Sequence, residues 1–107
     1  MQASTMSIPI PERIKAQIRA IDSKAKVVLF GSRARGDARA ESDWDFLVLV
    51  SKSLDEALER LIRNKLYEIE LQTGEVIAAV IEEKDKWQDF EITAFYKNVE
   101  KEGIAID

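Results

Sequence analysis

Apolar positions recur along this chain at two periods, and the changes of period mark the elements. Ile10, Ile14, Ile18 and Ile21 fall three or four apart, with Lys15 and Arg19 between them. That spacing gathers apolar side chains on one face of a helix. Pro11 suits the first turn, where a missing N–H leaves no bond unmade, and the pattern fades near Asp22–Lys24. Val27–Phe30 follows as an unbroken apolar run halted by Gly31, which predicts a short buried strand. Gly31–Glu41 is polar and carries two Gly and three Arg, so it reads as a loop. Asp43–Val50 predicts a second strand with a period of two. Asp43 and Asp45 share one face with Leu47 and Leu49, while Trp44, Phe46, Val48 and Val50 share the other.

Ser53-Leu54-Asp55-Glu56 has the form of a capping box, with Ser53 as N-cap and Glu56 three residues on. Leu54, Leu58, Leu61, Ile62, Leu66 and Ile69 then trace the apolar face of a long helix to about Gln72, with Gly74 as its stop. Glu75–Glu83 predicts a third strand whose centre, Val76–Ile81, is wholly apolar. The acidic stretch Glu82–Glu91 reads as a loop anchored by Trp87 and Phe90. Thr93 caps a last helix through Phe95, Tyr96 and Val99, ending at Gly103, and Ile104–Ile106 either pairs as a short strand or packs over that helix. Met1–Pro9 reads as a flexible lead-in. The order of elements predicts an α+β fold with one layer of sheet and one of helices.

The chain has 107 residues, a length that suits one compact domain over 1–107. It is 46% hydrophobic and 34% charged, a globular balance. No apolar run approaches the roughly 20 residues of a membrane span, and the first residues lack a signal-peptide pattern, so the expected location is cytoplasmic. Sixteen basic residues against 20 acidic ones give a net charge of −4, which argues against a general nucleic-acid coat but not against a nucleotide held by one basic loop. The absence of both Cys and His has sharper consequences. It excludes a Ser-His-Asp triad, a thiolate nucleophile, disulfides and a usual zinc site. Any metal ligands are oxygens, favouring Mg²⁺, Mn²⁺ or Ca²⁺.

Three features coincide in Val27–Val50. Gly31-Ser32 follows a buried strand directly, where a glycine lets the backbone approach a ligand and a strand-to-helix turn aims N–H groups outward. Asp43 and Asp45, two apart on a strand, project from one face; as neighbours they repel, and a divalent cation between them removes the repulsion. Ten residues separate Ser32 from Asp43, so adjacent strands would set the phosphate cradle beside the metal site. Arg33, Arg35 and Arg39, with the acidic neighbours Asp37 and Glu41, read on their own as a solvated loop. The Arg35-Gly36-Asp37 tripeptide is read as chance in a cytoplasmic chain.

This combination, LFGSRARGD followed by SDWD, resembles the minimal nucleotidyltransferases of the DNA polymerase β superfamily over about a quarter of the chain. The later helix, the LQTGEVI turn and the FYKNVEKEGI ending are similar to bacterial members, less specifically. The resemblance implies a small mixed sheet with helices packed mainly on one face. It implies transfer of a nucleoside monophosphate, AMP from ATP, to an acceptor hydroxyl. Gly31 and Ser32 would hold the triphosphate, with Arg33 and Arg35 as further phosphate contacts, and Asp43 and Asp45 would ligate Mg²⁺ or Mn²⁺. The family's fully active members add a third carboxylate from a later strand. Here Glu75, Glu82 and Glu83 are the candidates, and Glu75 is preferred because that acid usually lies early in the strand. Minimal members are often encoded beside a helical HEPN toxin, which implies an antitoxin that modifies its partner. The alternative is a catalytically impaired binding module that masks a partner or senses nucleotide. The residues leave the acceptor, the base preference and self-association open.

Overall fold

The computed structural model describes residues 8–106. Most of the expected flexible lead-in, positions 1–7, lies outside these residues. Helix α1 (Ile10–Ile21) has Pro11 in its first turn and buries Ile10, Ile14 and Ile18, the residues its periodicity selects. Strand β1 (Lys26–Phe30) runs into Gly31 and a one-turn helix α2 (Ser32–Arg35) inside the expected loop. Strand β2 (Trp44–Val50) leads to the long helix α3 (Glu56–Thr73). Its cap is Asp55 rather than Ser53. The Asp55 carboxylate accepts from the Leu58 N–H at 2.8 Å, and an acid at this position also complements the positive end of the helix. Gly74 ends α3 in the left-handed conformation, as expected of a C′ residue.

Strand β3 (Ile77–Glu83) begins two residues later than the sequence predicts, and a 3₁₀ helix (Lys84–Phe90) replaces the expected loop. Helix α4 (Ala94–Glu102) is capped by the Thr93 hydroxyl, and Ile104–Ala105 forms β4. The strands lie in the order β3-β2-β1-β4, with β2 and β3 parallel and the other pairs antiparallel.

Strand parity divides the core in two. Val27, Leu29, Phe46, Val48, Val50 and Ile81 meet the apolar stripes of α1 and α3. On the opposite face Val28, Leu47 and Leu49 meet Trp87 of the 3₁₀ helix and Val99 of α4. The two long helices thus share one face, as expected. The second face is covered by the C-terminal aromatics: Trp87 is buried and packs against Phe90, Phe95 and Tyr96 with ring centroids 4.8–5.9 Å apart. At one end of the sheet, buried Asp22 joins the α1–β1 turn to the exit of β2, accepting from the Ser51 N–H and hydroxyl at 2.6 Å each and from the Lys24 N–H at 3.1 Å. Burial alone would raise its pKa; the Ser51 and Lys24 hydrogen bonds and the Lys52 charge outweigh it and hold the carboxyl below its usual value.

Candidate active site

The opposite end of the sheet carries the chemistry. Phe30 and Asp45 are paired across β1 and β2, which sets Asp45 beside the turn at Gly31. Phe30 packs edge-on against Phe95 of α4, with centroids 5.3 Å apart, and closes the second core directly beneath this point. Asp45 is therefore half-buried, while Asp43, one residue before the strand, is exposed. Burial, and next the charge of Asp43, push the Asp45 carboxyl above its ordinary pKa; Arg35 partly offsets them.

Gly31 is required twice. Its backbone angles, φ 78° and ψ −159°, fall in a region essentially confined to glycine. A Cβ there would also overlap Asp45 Oδ2 and lie 3.1 Å from Asp45 Cγ and 3.2 Å from Asp45 Cβ. The carboxylate of Asp45 thus occupies the space a side chain at 31 would fill. The Gly31 carbonyl accepts from the N–H groups of Ala34 and Arg35, at 3.0 Å each, and closes the turn. Ser32 starts α2, where the first N–H groups of a helix have no intrahelical acceptor. Its hydroxyl makes no protein hydrogen bond among the described residues.

The two arginines of α2 part company. Arg35 lies on the aspartate side, ion-paired with Asp37 at 3.2 Å and with Glu102 of α4 at 3.4 Å. These partners, first Asp37, raise its pKa. Arg33 turns to the other face of the sheet, away from the aspartates. Its guanidinium lies 4.3 Å from the Trp44 ring centroid, a stacking geometry worth about 0.5–2 kcal/mol. Its Nη2 donates to the carbonyls of Ser42 at 2.9 Å and Ala40 at 3.3 Å.

Glu75 is also found on that other face and does not join the aspartates. Its Oε1 accepts from Trp44 Nε1 at 3.2 Å and lies 3.7 Å from Arg33 Nη2. The reason is strand parity: Glu75 shares its phase with Ile77, Ala79 and Ile81, which face α1 and α3. A groove of about 370 Å³, lined in part by Arg13, Trp44, Thr73 and Glu75, opens there. In register with Asp45 on β3 stands Ala78, while Glu82 pairs with Leu49 at the far end. Among the described residues no three acidic side chains form a metal-binding group. The Asp43–Asp45 pair is nevertheless a hard-oxygen donor set with an uncompensated charge, which suits one small divalent cation.

Residues 11–106 match the nucleotidyltransferase domain family. The chain belongs to that family. A protein of Methanocaldococcus jannaschii that bears the provisional name of protein adenylyltransferase is 34% identical to the domain over 98 residues, 87% of this chain and 93% of that protein. A solved toxin–antitoxin structure with AMP-PNP has the same fold, with a TM-score of 0.61 at 21% identity over 91% of this chain and 72% of the other. The nucleotidyltransferase domain thus has the polymerase β-like fold expected from its LFGSRARGD…SDWD segment. Sequence reasoning overlooked the other side of that segment: Ser42 and Trp44 hold Arg33. The alternation in β2 already set Trp44 opposite Asp43 and Asp45, a signal for a supporting rather than a chemical role.

Proposed function

We propose that this nucleotidyltransferase transfers AMP from ATP to a hydroxyl of a partner protein, with Mg²⁺ (or Mn²⁺) held by Asp43 and Asp45. The observation that carries the reading is the Asp45 carboxylate packed against the Gly31 turn, with Asp43 two residues before it. It brings anionic oxygens and triphosphate-facing N–H groups to one point. The Ser32 hydroxyl and the first N–H groups of α2 bind the triphosphate, and Arg35 reaches it by exchanging Asp37 or Glu102 for a phosphate oxygen. Bound magnesium would supply charge neutralisation at the triphosphate. The acceptor oxygen forms a bond to the α-phosphorus, the bond from the α-phosphorus to the bridging oxygen breaks, pyrophosphate leaves, and the acceptor proton passes to water. Such transfer depends mainly on positioning and electrostatics, so a chain without His or Cys can perform it.

A helical HEPN toxin is the partner we favour, with the domain acting as a single-domain antitoxin in the cytoplasm. The related fold in a toxin–antitoxin structure supports it. The test is incubation with α-labelled ATP, Mg²⁺ and the helical protein encoded beside it. Label should appear on the partner, and none should appear from γ-labelled ATP. Absence of label from both would refute the transfer.

One observation favours a second reading. With Glu75 turned away and Ala78 beside Asp45, the aspartates lack a third acid from β3. The domain would then bind nucleotide and mask its partner without turnover. Tight binding of Mg²⁺ and ATP with no labelled partner would select it.

A further inference from the structure

Ser32, Asp43 and Asp45 each have a sequence neighbour on the far side of the sheet, and those neighbours touch each other. Ser32 precedes Arg33; Asp43 lies between Ser42 and Trp44; Trp44 separates the two aspartates. Arg33 donates to the Ser42 and Ala40 carbonyls and stacks on Trp44. Glu75 accepts from the Trp44 indole N–H and pairs with Arg33. The Trp44 amide N–H donates to the Val76 carbonyl at 2.9 Å, fixing the start of β2 to the chain just after Glu75.

We propose that Arg33, Trp44 and Glu75 form a clip that positions Asp43 and Ser32 against each other from the far face of the sheet. The inference rests on the proposed nucleotide site and assigns the clip no contact with substrate. Asp43 precedes β2 and is not held by that strand's ladder. The loop before it has one internal tie, the Arg39–Ser42 turn, in which the Ser42 hydroxyl accepts from the Arg39 N–H at 2.8 Å. The Asp37 N–H, donating to the Ser32 carbonyl at 3.1 Å, ties the near end of that loop to α2, and Arg33 ties its far end, at Ala40 and Ser42, to the same helix. A guanidinium is suited to this because its planar fork lies flat on the indole while one of its nitrogens, Nη2, bonds both carbonyls; an ammonium has no such face to stack. Glu75 balances the charge of Arg33 and fixes the indole. Both residues therefore serve the site, by a route other than phosphate or metal contact.

The test measures Mn²⁺ affinity of nucleotide-free protein by calorimetry, with amide hydrogen exchange in metal-free protein at Arg39 and Ser42, whose N–H groups are hydrogen-bonded in the loop. Arg33→Lys keeps the charge and loses the fork. It should weaken Mn²⁺ binding about tenfold and speed exchange at Arg39 and Ser42, at temperatures where circular dichroism shows the fold intact. Glu75→Ala should do the same, and Glu75→Gln, which keeps an acceptor for the indole N–H, should recover most of the loss. Should Arg33→Lys prove too unstable, Trp44→Phe removes the indole N–H and should reproduce the Glu75→Ala effect. Wild-type Mn²⁺ affinity in Arg33→Lys would overturn the clip while leaving the nucleotide site standing. Equal loss in Glu75→Gln and Glu75→Ala would overturn it by making Glu75 a ligand. No Mn²⁺ binding by wild type would overturn the site itself and the clip with it.

Discussion

Replacing Gly31 by alanine perturbs the site with a single methyl group. Gly31 sits at φ 78° and ψ −159°, and holding a non-glycine residue there costs on the order of 1–3 kcal/mol. The added Cβ would also meet Asp45 Cγ at 3.1 Å and Cβ at 3.2 Å. The carboxylate can swing aside, so the clash is relieved by moving the ligand rather than the backbone. For a domain of this size each kcal/mol shifts Tm by roughly 4–8 °C. Gly31→Ala should therefore lower Tm by about 5–15 °C and weaken Mg²⁺-dependent ATP binding at least tenfold. Gly36→Ala is the control. Gly36 is also left-handed, at φ 85° and ψ 12°, but a Cβ there meets nothing within 4 Å. It should lose about 1–2 kcal/mol and bind ATP as wild type does. The assays are thermal melting followed by calorimetric titration well below both transitions. Wild-type ATP binding in Gly31→Ala would refute the proposed close packing of Asp45 on the turn, and equal loss in Gly36→Ala would assign the effect to stability alone.

Asp45→Asn separates stability from binding. A carboxyl whose folded pKa is raised favours the native state while protonated, and that contribution is lost as pH rises through the folded pKa. The stability of metal-free wild type relative to Asp45→Asn should fall as pH rises across the carboxylate range. Two charges about two strand residues apart repel by on the order of 1 kcal/mol near a surface, so the variant should melt a few degrees higher at pH 7 without metal and lose the stabilisation Mg²⁺ gives wild type. A variant less stable than metal-free wild type would contradict this. Asp22 has the opposite sign. Its folded pKa is lowered, so its contribution is present above the ordinary carboxylate pKa and lost as pH falls through the folded one. Asp22→Ala should cost about 2–3 kcal/mol at pH 7, by denaturant melts, because Ser51 loses a charged acceptor. A cost near zero would show that water replaces the carboxylate. Trp87→Ala should cost about 3–5 kcal/mol by removing the centre of the second core, and a loss below 1 kcal/mol would mean that this face is not cooperative with the rest.

The legible parts of the sequence were those with a local cause. The isoleucine stripe of α1, the Gly74 stop and the Thr93 cap all lie where periodicity and capping put them. The aspartates share a face because β2 alternates. Glu75 was misplaced for a physical reason. Val76–Ile81 is apolar at every position, so it carries no alternation from which a face can be read. Only the register with β2, set by tertiary pairing, shows that Ala78 rather than Glu75 stands beside Asp45. The direction of Arg33 was not legible for a related reason. Loop arginines near a phosphate turn resemble one another in sequence, and it is the helical turn Ser32–Arg35 that sends Arg33 to Trp44 and Arg35 toward α4. The acidic stretch was read as a loop and forms a 3₁₀ helix, while Trp87, expected as its anchor, is buried.

The most direct test of the central claim is calorimetric titration of ATP, with and without Mg²⁺, into wild type and the Asp43→Asn/Asp45→Asn double variant. Wild type should bind ATP in a metal-dependent manner, and the double variant should lose that dependence while remaining folded. Wild-type binding indifferent to Mg²⁺, or metal-dependent binding that survives in the double variant, would contradict the assignment of the two aspartates.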